Sequence, residues 1–148
     1  MNSHHTVAIG TWEGDKQQSI EYNSSIAVGI DCPRAKLRVS ILLDTIQEYQ
    51  VRYIFSDEEI SEAVNEAGLI IGARGIAYEG VLQRKPVIVV GEYGFGGLVT
   101  PDTLHEQYNN YFRGKINGIK AEYFSLERLE EEIRRGFALT FQELQMMS

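Results

Sequence analysis

Residues 66–100, EAGLIIGARGIAYEGVLQRKPVIVVGEYGFGGLVT, are the stretch that decides the fold. The pattern predicts a buried strand at 68–73, a short helix at 76–84 and a second buried strand at 85–91. Both strand segments are short, rich in Ile and Val and bounded by Gly or Pro, which is typical of strands covered on both faces. This order indicates a parallel pair joined by a crossover helix. Ligands bind at the carboxyl ends of the strands in such sheets, so we expect the function there.

The remainder of the chain supplies further strands and helices. Strands are predicted at 6–10, 25–30 and 51–55, and helices at 34–49, from Ser56, from Thr100 and at 125–137. Ser56 and Glu59 have the spacing of a capping box, and the acidic residues of the last helix are interpreted as a solvated face. The predicted fold is a single α/β domain over residues 1–148, a Rossmann-like three-layer sandwich with a mainly parallel sheet of about five or six strands.

The composition argues against several classes of function. The chain has 148 residues and a formal net charge of −7, and its Lys and Arg residues are scattered, so a general nucleic-acid binder is not expected. The single Cys32 cannot form an internal disulfide, and the sequence has no Cys/His cluster for a metal, so we expect a reducing compartment and no cofactor. No apolar run approaches the roughly 18 residues of a membrane-spanning helix, and the N-terminus lacks the apolar core of a signal peptide. The protein is therefore predicted to be cytoplasmic.

The turn at residues 73–77, between the first central strand and its helix, is a candidate anion site. Unpaired backbone N–H groups and the positive end of the helix dipole favour negative charge there, and Gly75 would let an anion approach the backbone closely. Arg74 could add a charge-assisted contact to a phosphate. Because any strand-to-helix turn favours a glycine, the pattern alone leaves a purely structural turn open.

Two more features of the central stretch fit a ligand site. Glu79 lies about one turn into an otherwise apolar helix, where a carboxylate facing the cleft could accept hydrogen bonds from the hydroxyls of a ribose. An exposed surface Glu is the alternative. The glycines of the loop 92–97, Gly94 and Gly96 among them, suit either a loop that cradles a ligand or a merely tight loop. This loop matches neither a P-loop nor a dinucleotide fingerprint.

The sequence offers little for nucleophilic catalysis. Of its three His residues, His4 and His5 lie near the terminus and are interpreted as tail residues. His105 lies in a predicted helix beside no obvious Ser or Cys partner. No catalytic residue is therefore predicted.

The run from Ser56 to Val90 resembles the C-terminal, nucleotide-sugar-binding half of the GT-B glycosyltransferases. An acidic helix, an A-D-hydrophobic strand, a small-residue turn, an E-A-hydrophobic segment and a G-K-P-V-hydrophobic strand recur in that half. Three segments of this chain fall in register with the pattern: AGLII at 67–71, EGVL at 79–82 and RKPVI at 84–88.

The flanking segments resemble the same family more weakly. GFGGLVTPD at 94–102 looks like its later G-x-x-G-L-hydrophobic-x-P turn, and residues 126–137 look like the helix that follows. IGTWEGDK at 9–16 is similar to its first strand and G-R-hydrophobic-x-x-E-K loop. Thr11 stands where the family often has Arg, and Ile71 stands where many retaining members carry a second Glu.

The resemblance implies roles for particular residues. Glu79 would hold the ribose of a nucleotide-sugar donor. The backbone of Gly75, Ile76 and Ala77, together with Arg74, would face the diphosphate. Lys16 would be a second cationic contact to the diphosphate, and the glycine loop with Gly94 and Gly96 would also lie at the donor.

The resemblance also implies a partner. Most GT-B enzymes place the acceptor, and often the catalytic base, on a separate N-terminal domain, for which this chain has no room. We therefore expect a donor-binding domain that binds a nucleotide-diphosphate sugar and needs an acceptor-binding domain or subunit for transfer, so that it is inactive alone.

Two alternatives remain open from the sequence. One is a nucleotide-sugar 2-epimerase-like domain with the same architecture. The other is a non-catalytic flavodoxin-like or receiver-like interaction module with Tyr108, Tyr111 and Phe112 as its partner surface. Asp31 and Asp57 are poor matches to the acidic cluster of a receiver.

Overall fold

A computed structural model describes residues 4–8, 19–115 and 118–148, with side chains described from Ser24 onward. The strands are β1 (His4–Ala8), β2 (Ser19–Asn23), β3 (Ser25–Gly29), β4 (Gln50–Tyr53), β5 (Leu69–Gly72), β6 (Val87–Gly91) and β7 (Gly94–Leu98). The helices are α1 (Pro33–Ile46), α2 (Ile60–Glu66), α3 (Gly75–Leu82), α4 (Leu104–Asn109), α5 (Leu126–Phe137) and α6 (Phe141–Met147), with a 3₁₀ turn (Asp57–Glu59) before α2. Within these ranges no helix combines the length and apolar character needed to cross a membrane.

Five strands form one sheet in the order β4-β3-β5-β6-β7. The first four strands are parallel to one another, and β7 runs antiparallel to β6. The predicted fold class is confirmed: an α/β, Rossmann-like three-layer sandwich with a mostly parallel sheet flanked by helices. The chain passes from β3 to β4 on one side and then crosses back to β5 on the other. This reversal is a topological switch point, where open parallel sheets bind ligands.

Both faces of the sheet are covered. Ile26 and Ile71 pack in one apolar cluster with residues of α1 and α5. Their chain neighbours Ala27 and Ile70 pack in a second cluster with residues of α2, α3 and α6. All four strand residues are at most 1% exposed. Because successive residues point to opposite faces and both faces are dry, the central strands form continuous apolar runs in the sequence.

The first predicted strand does not join this sheet. β1 pairs antiparallel with β2 in a separate two-stranded ribbon, in register from His4↔Asn23 to Ala8↔Ser19. The interpretation of His4 and His5 as tail residues is corrected accordingly, since both belong to β1. The alternating SIEYN of β2 is typical of a half-exposed antiparallel strand, a signal that the prediction did not use.

The capping box predicted at Ser56 is wrong. The Ser56 hydroxyl makes no capping hydrogen bond and instead donates to the Glu59 carboxylate at 3.2 Å. The same carboxylate accepts from the Phe55 N–H at 3.4 Å. A capping box does occur later, at the start of α6, a helix that the sequence pattern did not predict. Ser125, where the last helix was predicted to begin, caps α5 and accepts a hydrogen bond from the Arg128 N–H at 3.0 Å.

One acidic residue of α5 is not on a solvated face. Glu132 is only 3% exposed. Its Oε1 accepts a hydrogen bond of 2.6 Å from the backbone N–H of Leu98, and its Oε2 lies 3.0 Å from Arg135. β7 is an edge strand, so a buried N–H on it needs an acceptor from outside the sheet. Glu132 supplies that acceptor, which corrects the prediction for this residue.

Candidate functional site

A cleft of about 430 Å³ lies at the carboxyl ends of β3, β4 and β5. Asp31 follows β3, Phe55 and Asp57 follow β4, Arg74 follows β5, and Tyr111 reaches the cleft from the segment after α4. We call this hollow the switch-point cleft. It lies where the strand order reverses, as expected for a ligand site in an open parallel sheet.

Two paired glycines bring α3 to the floor of the cleft. Gly29 and Gly72 are register partners at the ends of β3 and β5. A Cβ on Gly72 would lie 2.4 Å from the Gly29 carbonyl oxygen, and a Cβ on Gly29 would lie 2.8 Å from the side chain of Ile76. Ile76, which is 3% exposed, packs in the space that the missing Cβ atoms leave. The first turn of α3 is thereby fixed against the strand ends.

Arg74 forms a sharp elbow between β5 and α3. Its backbone has φ 60° and ψ −126°, a conformation that residues other than glycine rarely adopt. Its N–H donates to the Phe112 carbonyl at 3.0 Å. Phe112 and Tyr111 have positive φ angles as well, of 55° and 58°. Three of the five non-glycine residues with positive φ in the described ranges therefore lie at or beside this cleft, and backbone strain of this kind clusters at functional sites.

The start of α3 supplies hydrogen-bond donors. The first N–H groups of a helix have no acceptor within the helix, and the Arg74 side chain makes no capping hydrogen bond. Gly75 and Ile76 line the cleft, whereas Ala77 is fully buried behind them. The Arg74 guanidinium is about half exposed and lies 3.6 Å from the Glu92 carboxylate. The predicted anion-binding turn thus has its donors and its cation at the cleft.

Glu79 does not line the switch-point cleft. Its half-buried carboxylate accepts a hydrogen bond of 2.7 Å from the Gln83 amide, which also donates to the Ser61 carbonyl at 3.2 Å. The Glu79 side chain therefore helps to tie α3 to the start of α2. To reach a ribose in the cleft, it would have to leave Gln83.

The glycine-rich segment after β6 is a hairpin and not a loop over the cleft. Gly91 pairs with Gly94, so Glu92 and Tyr93 form a two-residue turn into β7. A Cβ on Gly94 would lie 2.8 Å from the Ile119 carbonyl oxygen, and a Cβ on Gly96 would lie 2.9 Å from the Gln107 amide. Gly94 thus admits the segment that follows α4, and Gly96 admits α4 itself. The predicted loop is wrong at these residues, because they belong to β7. Glycine is typical of loops, but it is also required where a strand packs closely against another segment.

The structure therefore brings together only part of the predicted site. Arg74, Gly75 and Ile76 meet at the cleft. Glu79, Gly94 and Gly96 lie elsewhere, and Lys16 falls outside the described residues.

The cleft residues that follow β3 and β4 were not predicted as ligand-binding residues. Asp31, Phe55 and Asp57 come directly after strand ends and line the cleft with Arg74. Ligands bind at the carboxyl ends of parallel strands, and this rule pointed to Arg74. It applies equally to these three residues. Tyr111 could not be found in this way, because it reaches the cleft from the segment after α4.

Among the described residues, no group of three or more His, Cys, Asp or Glu side chains is placed to hold a metal ion. No protein-family model, curated protein or solved structure matches the chain. The geometry and chemistry of the cleft are therefore the basis for assigning a function.

Proposed function

We propose that this chain is a nucleotide-sugar donor-binding domain of the GT-B glycosyltransferase type, which holds the donor's diphosphate in the switch-point cleft. The observation that carries the proposal is the coincidence of three features at one strand end: the reversal of strand order, the first turn of α3, and the strained Arg74. A helix N-terminus with an adjacent guanidinium is a suitable site for a diphosphate.

The residues would act as follows. The N–H groups at Gly75 and Ile76 donate to phosphate oxygens, and the Arg74 guanidinium exchanges Glu92 for the diphosphate. Asp31 and Asp57 line the same cleft and are acceptor-only groups, suited to the hydroxyls of a ribose or sugar. They take the role that the family resemblance gave to Glu79, whose carboxylate is engaged with Gln83.

The proposal includes no catalytic residue on this chain. Transfer requires an acceptor and a base, which GT-B enzymes commonly hold on a second domain. We therefore propose that a separate acceptor-binding domain or subunit completes the site, and that this chain alone binds the donor without transferring the sugar.

A thermal-shift screen with UDP, GDP, ADP, CMP and their sugars tests the proposal. A ligand at a hundredfold its Kd adds about 2.7 kcal/mol to the unfolding free energy. For a chain of this length we expect a rise in Tm of roughly 6–10 °C. Arg74→Gln should abolish most of the shift. Arg134→Gln is the matched control, because Arg134 is an exposed arginine on α5 that pairs with Glu131 and does not line the cleft. No shift with any nucleotide would contradict the proposal.

A second candidate is a flavodoxin-like, non-catalytic module. The strand order favours it: counted from β3, the sheet reads 2-1-3-4-5, the order of flavodoxin-like sheets, although the last strand is antiparallel here. Such a module has no need of a nucleotide sugar. An absence of nucleotide binding in the screen, together with capture of the chain by a protein partner, would favour it.

A further inference from the structure

Two aromatic side chains at the mouth of the switch-point cleft are left exposed. Phe55 is 77% exposed and Tyr111 is 43% exposed, and both line the cleft. They come from different parts of the chain, one after β4 and the other after α4. Burying a side chain such as Phe stabilises a protein by roughly 1.5–3 kcal/mol, so an exposed ring in a ligand cleft has apolar surface available for a ligand.

Phe55 makes two contacts with charged side chains. The Lys36 ammonium lies 4.3 Å from the centroid of its ring, a cation–π contact that covers one face. The Phe55 backbone N–H donates to Glu59 at 3.4 Å. Lys36 therefore contacts one face of the ring, and the 77% exposure of Phe55 leaves apolar surface for a ligand.

Tyr111 is held in place. Its backbone lies in the left-handed region with φ 58°, and its ring lies 6.2 Å from that of Tyr78. The neighbouring Phe112 is completely buried, and its carbonyl accepts from the Arg74 N–H. The strained segment thus couples the position of Tyr111 to the elbow at Arg74.

We propose that Phe55 is a stacking platform for the nucleobase, with Tyr111 as the opposing wall of the cleft. This inference rests on the proposed function and deepens it by naming where the base lies. Stacking on an aromatic ring tolerates any base, but it increases with the area of the base. A purine nucleoside diphosphate should therefore bind more tightly than a pyrimidine one.

The test compares Phe55→Leu with wild type by calorimetry, using GDP, ADP, UDP and inorganic pyrophosphate. Stacking contributes roughly five- to a hundredfold per base. We expect Phe55→Leu to weaken binding of the purine diphosphates about tenfold or more and to leave the affinity for pyrophosphate unchanged. Lys36→Met should weaken binding of the purine diphosphates to a smaller extent, because the Phe55 ring loses its cation–π contact. Phe141→Leu is the matched control, since Phe141 is 66% exposed and does not line the cleft.

Failure of this inference can be distinguished from failure of the proposed function. If the nucleotides bind wild type and Phe55→Leu equally well, or if Phe55→Leu loses pyrophosphate as strongly as GDP, the stacking role is overturned while the nucleotide site stands. If neither the nucleotides nor pyrophosphate bind wild type, both are overturned. Because Phe55 is largely exposed, the Leu variant should keep the wild-type Tm, which checks that it is folded.

Discussion

At the scale of single residues, the conformation of Arg74 is the feature that sequence patterns could not reveal. The sequence pattern singled out Gly75 as the residue where an anion could approach the backbone closely. The positive φ belongs to the arginine before it, and Gly75 begins the helix. Strain of this kind costs of order 1–3 kcal/mol and persists where the surroundings impose it. Here the buried Ile76 on one side and the Phe112 carbonyl on the other fix the elbow.

Substitutions at Arg74 separate strain from charge. Arg74→Gly relieves the strain, whereas Arg74→Ala keeps a Cβ in the same backbone conformation. We predict that the Gly variant is about 1 kcal/mol more stable than the Ala variant in urea unfolding. Both variants should lose binding of pyrophosphate, because both lack the guanidinium. Equal stability of the two would show that the elbow is unstrained in solution.

Lys85 provides a prediction for pH. Its ammonium donates to the carbonyls of Ala67 at 2.7 Å and Asn65 at 3.1 Å, and burial lowers its pKa from 10.5. Between the lowered pKa and 10.5, the unfolded chain binds more protons at this residue than the folded protein does. The free energy of unfolding of wild type, measured relative to that of Lys85→Met, should therefore rise as pH increases through this window. If the difference in unfolding free energy between wild type and Lys85→Met stays flat or falls across this window, the lowered pKa of Lys85 is refuted.

At the scale of secondary-structure elements, the sequence predicted the buried strands and most helices well. Continuous Ile- and Val-rich runs bounded by Gly and Pro are typical of buried strands, so the predicted bounds of β5 and β6 lie close to the observed ones. The prediction failed at β7, where Gly94, Gly96 and Gly97 hide the strand pattern. Those glycines are required by contacts with residues distant in the sequence, which no local pattern reports.

Glycine substitutions around α3 test how the element is placed. Gly72→Ala should destabilise the protein by about 2–3 kcal/mol, because its Cβ would lie 2.4 Å from a backbone oxygen that cannot move freely.

Gly75→Ala should instead stabilise the protein by roughly 0.5–1 kcal/mol, since the nearest atom to its Cβ is Ile60 Cδ1 at 3.8 Å and alanine favours the helix. The same Gly75 variant should bind pyrophosphate more weakly if an anion approaches the backbone there. Denaturant titrations and calorimetry on the two variants measure both effects.

The buried carboxylate on α5 secures the edge strand. Glu132→Ala leaves the Leu98 N–H without its 2.6 Å acceptor and separates Arg128 and Arg135 from their partner. We predict a loss of about 2–4 kcal/mol in the free energy of unfolding. Glu130→Ala, at an exposed position of the same helix, should change it by less than about 0.5 kcal/mol. A loss for Glu132→Ala as small as that of the control would contradict the role assigned to the buried carboxylate.

At the scale of the whole molecule, topology decides where function lies more than any single motif does. The net charge of −7 would disfavour an anionic ligand over most of the surface. The switch-point cleft differs because the strand reversal brings the start of α3, Arg74 and the Phe55–Lys36 pair to one edge of the sheet. The sequence could locate that edge, but the residues that reach it from β3, β4 and the segment after α4 depend on the three-dimensional arrangement.

The most direct test of the central claim is an amide NMR titration of the protein, isotopically labelled, with a nucleoside diphosphate. We predict that the largest shift changes occur at the amides of Arg74, Gly75 and Ile76, with smaller changes at Phe55 and Tyr111. The shift changes should follow a single-site binding curve, and Arg74→Gln should weaken the affinity for the nucleotide. Shift changes confined to the hairpin at Gly94 and Gly96, or no changes at all, would contradict the assignment of the cleft as a nucleotide site.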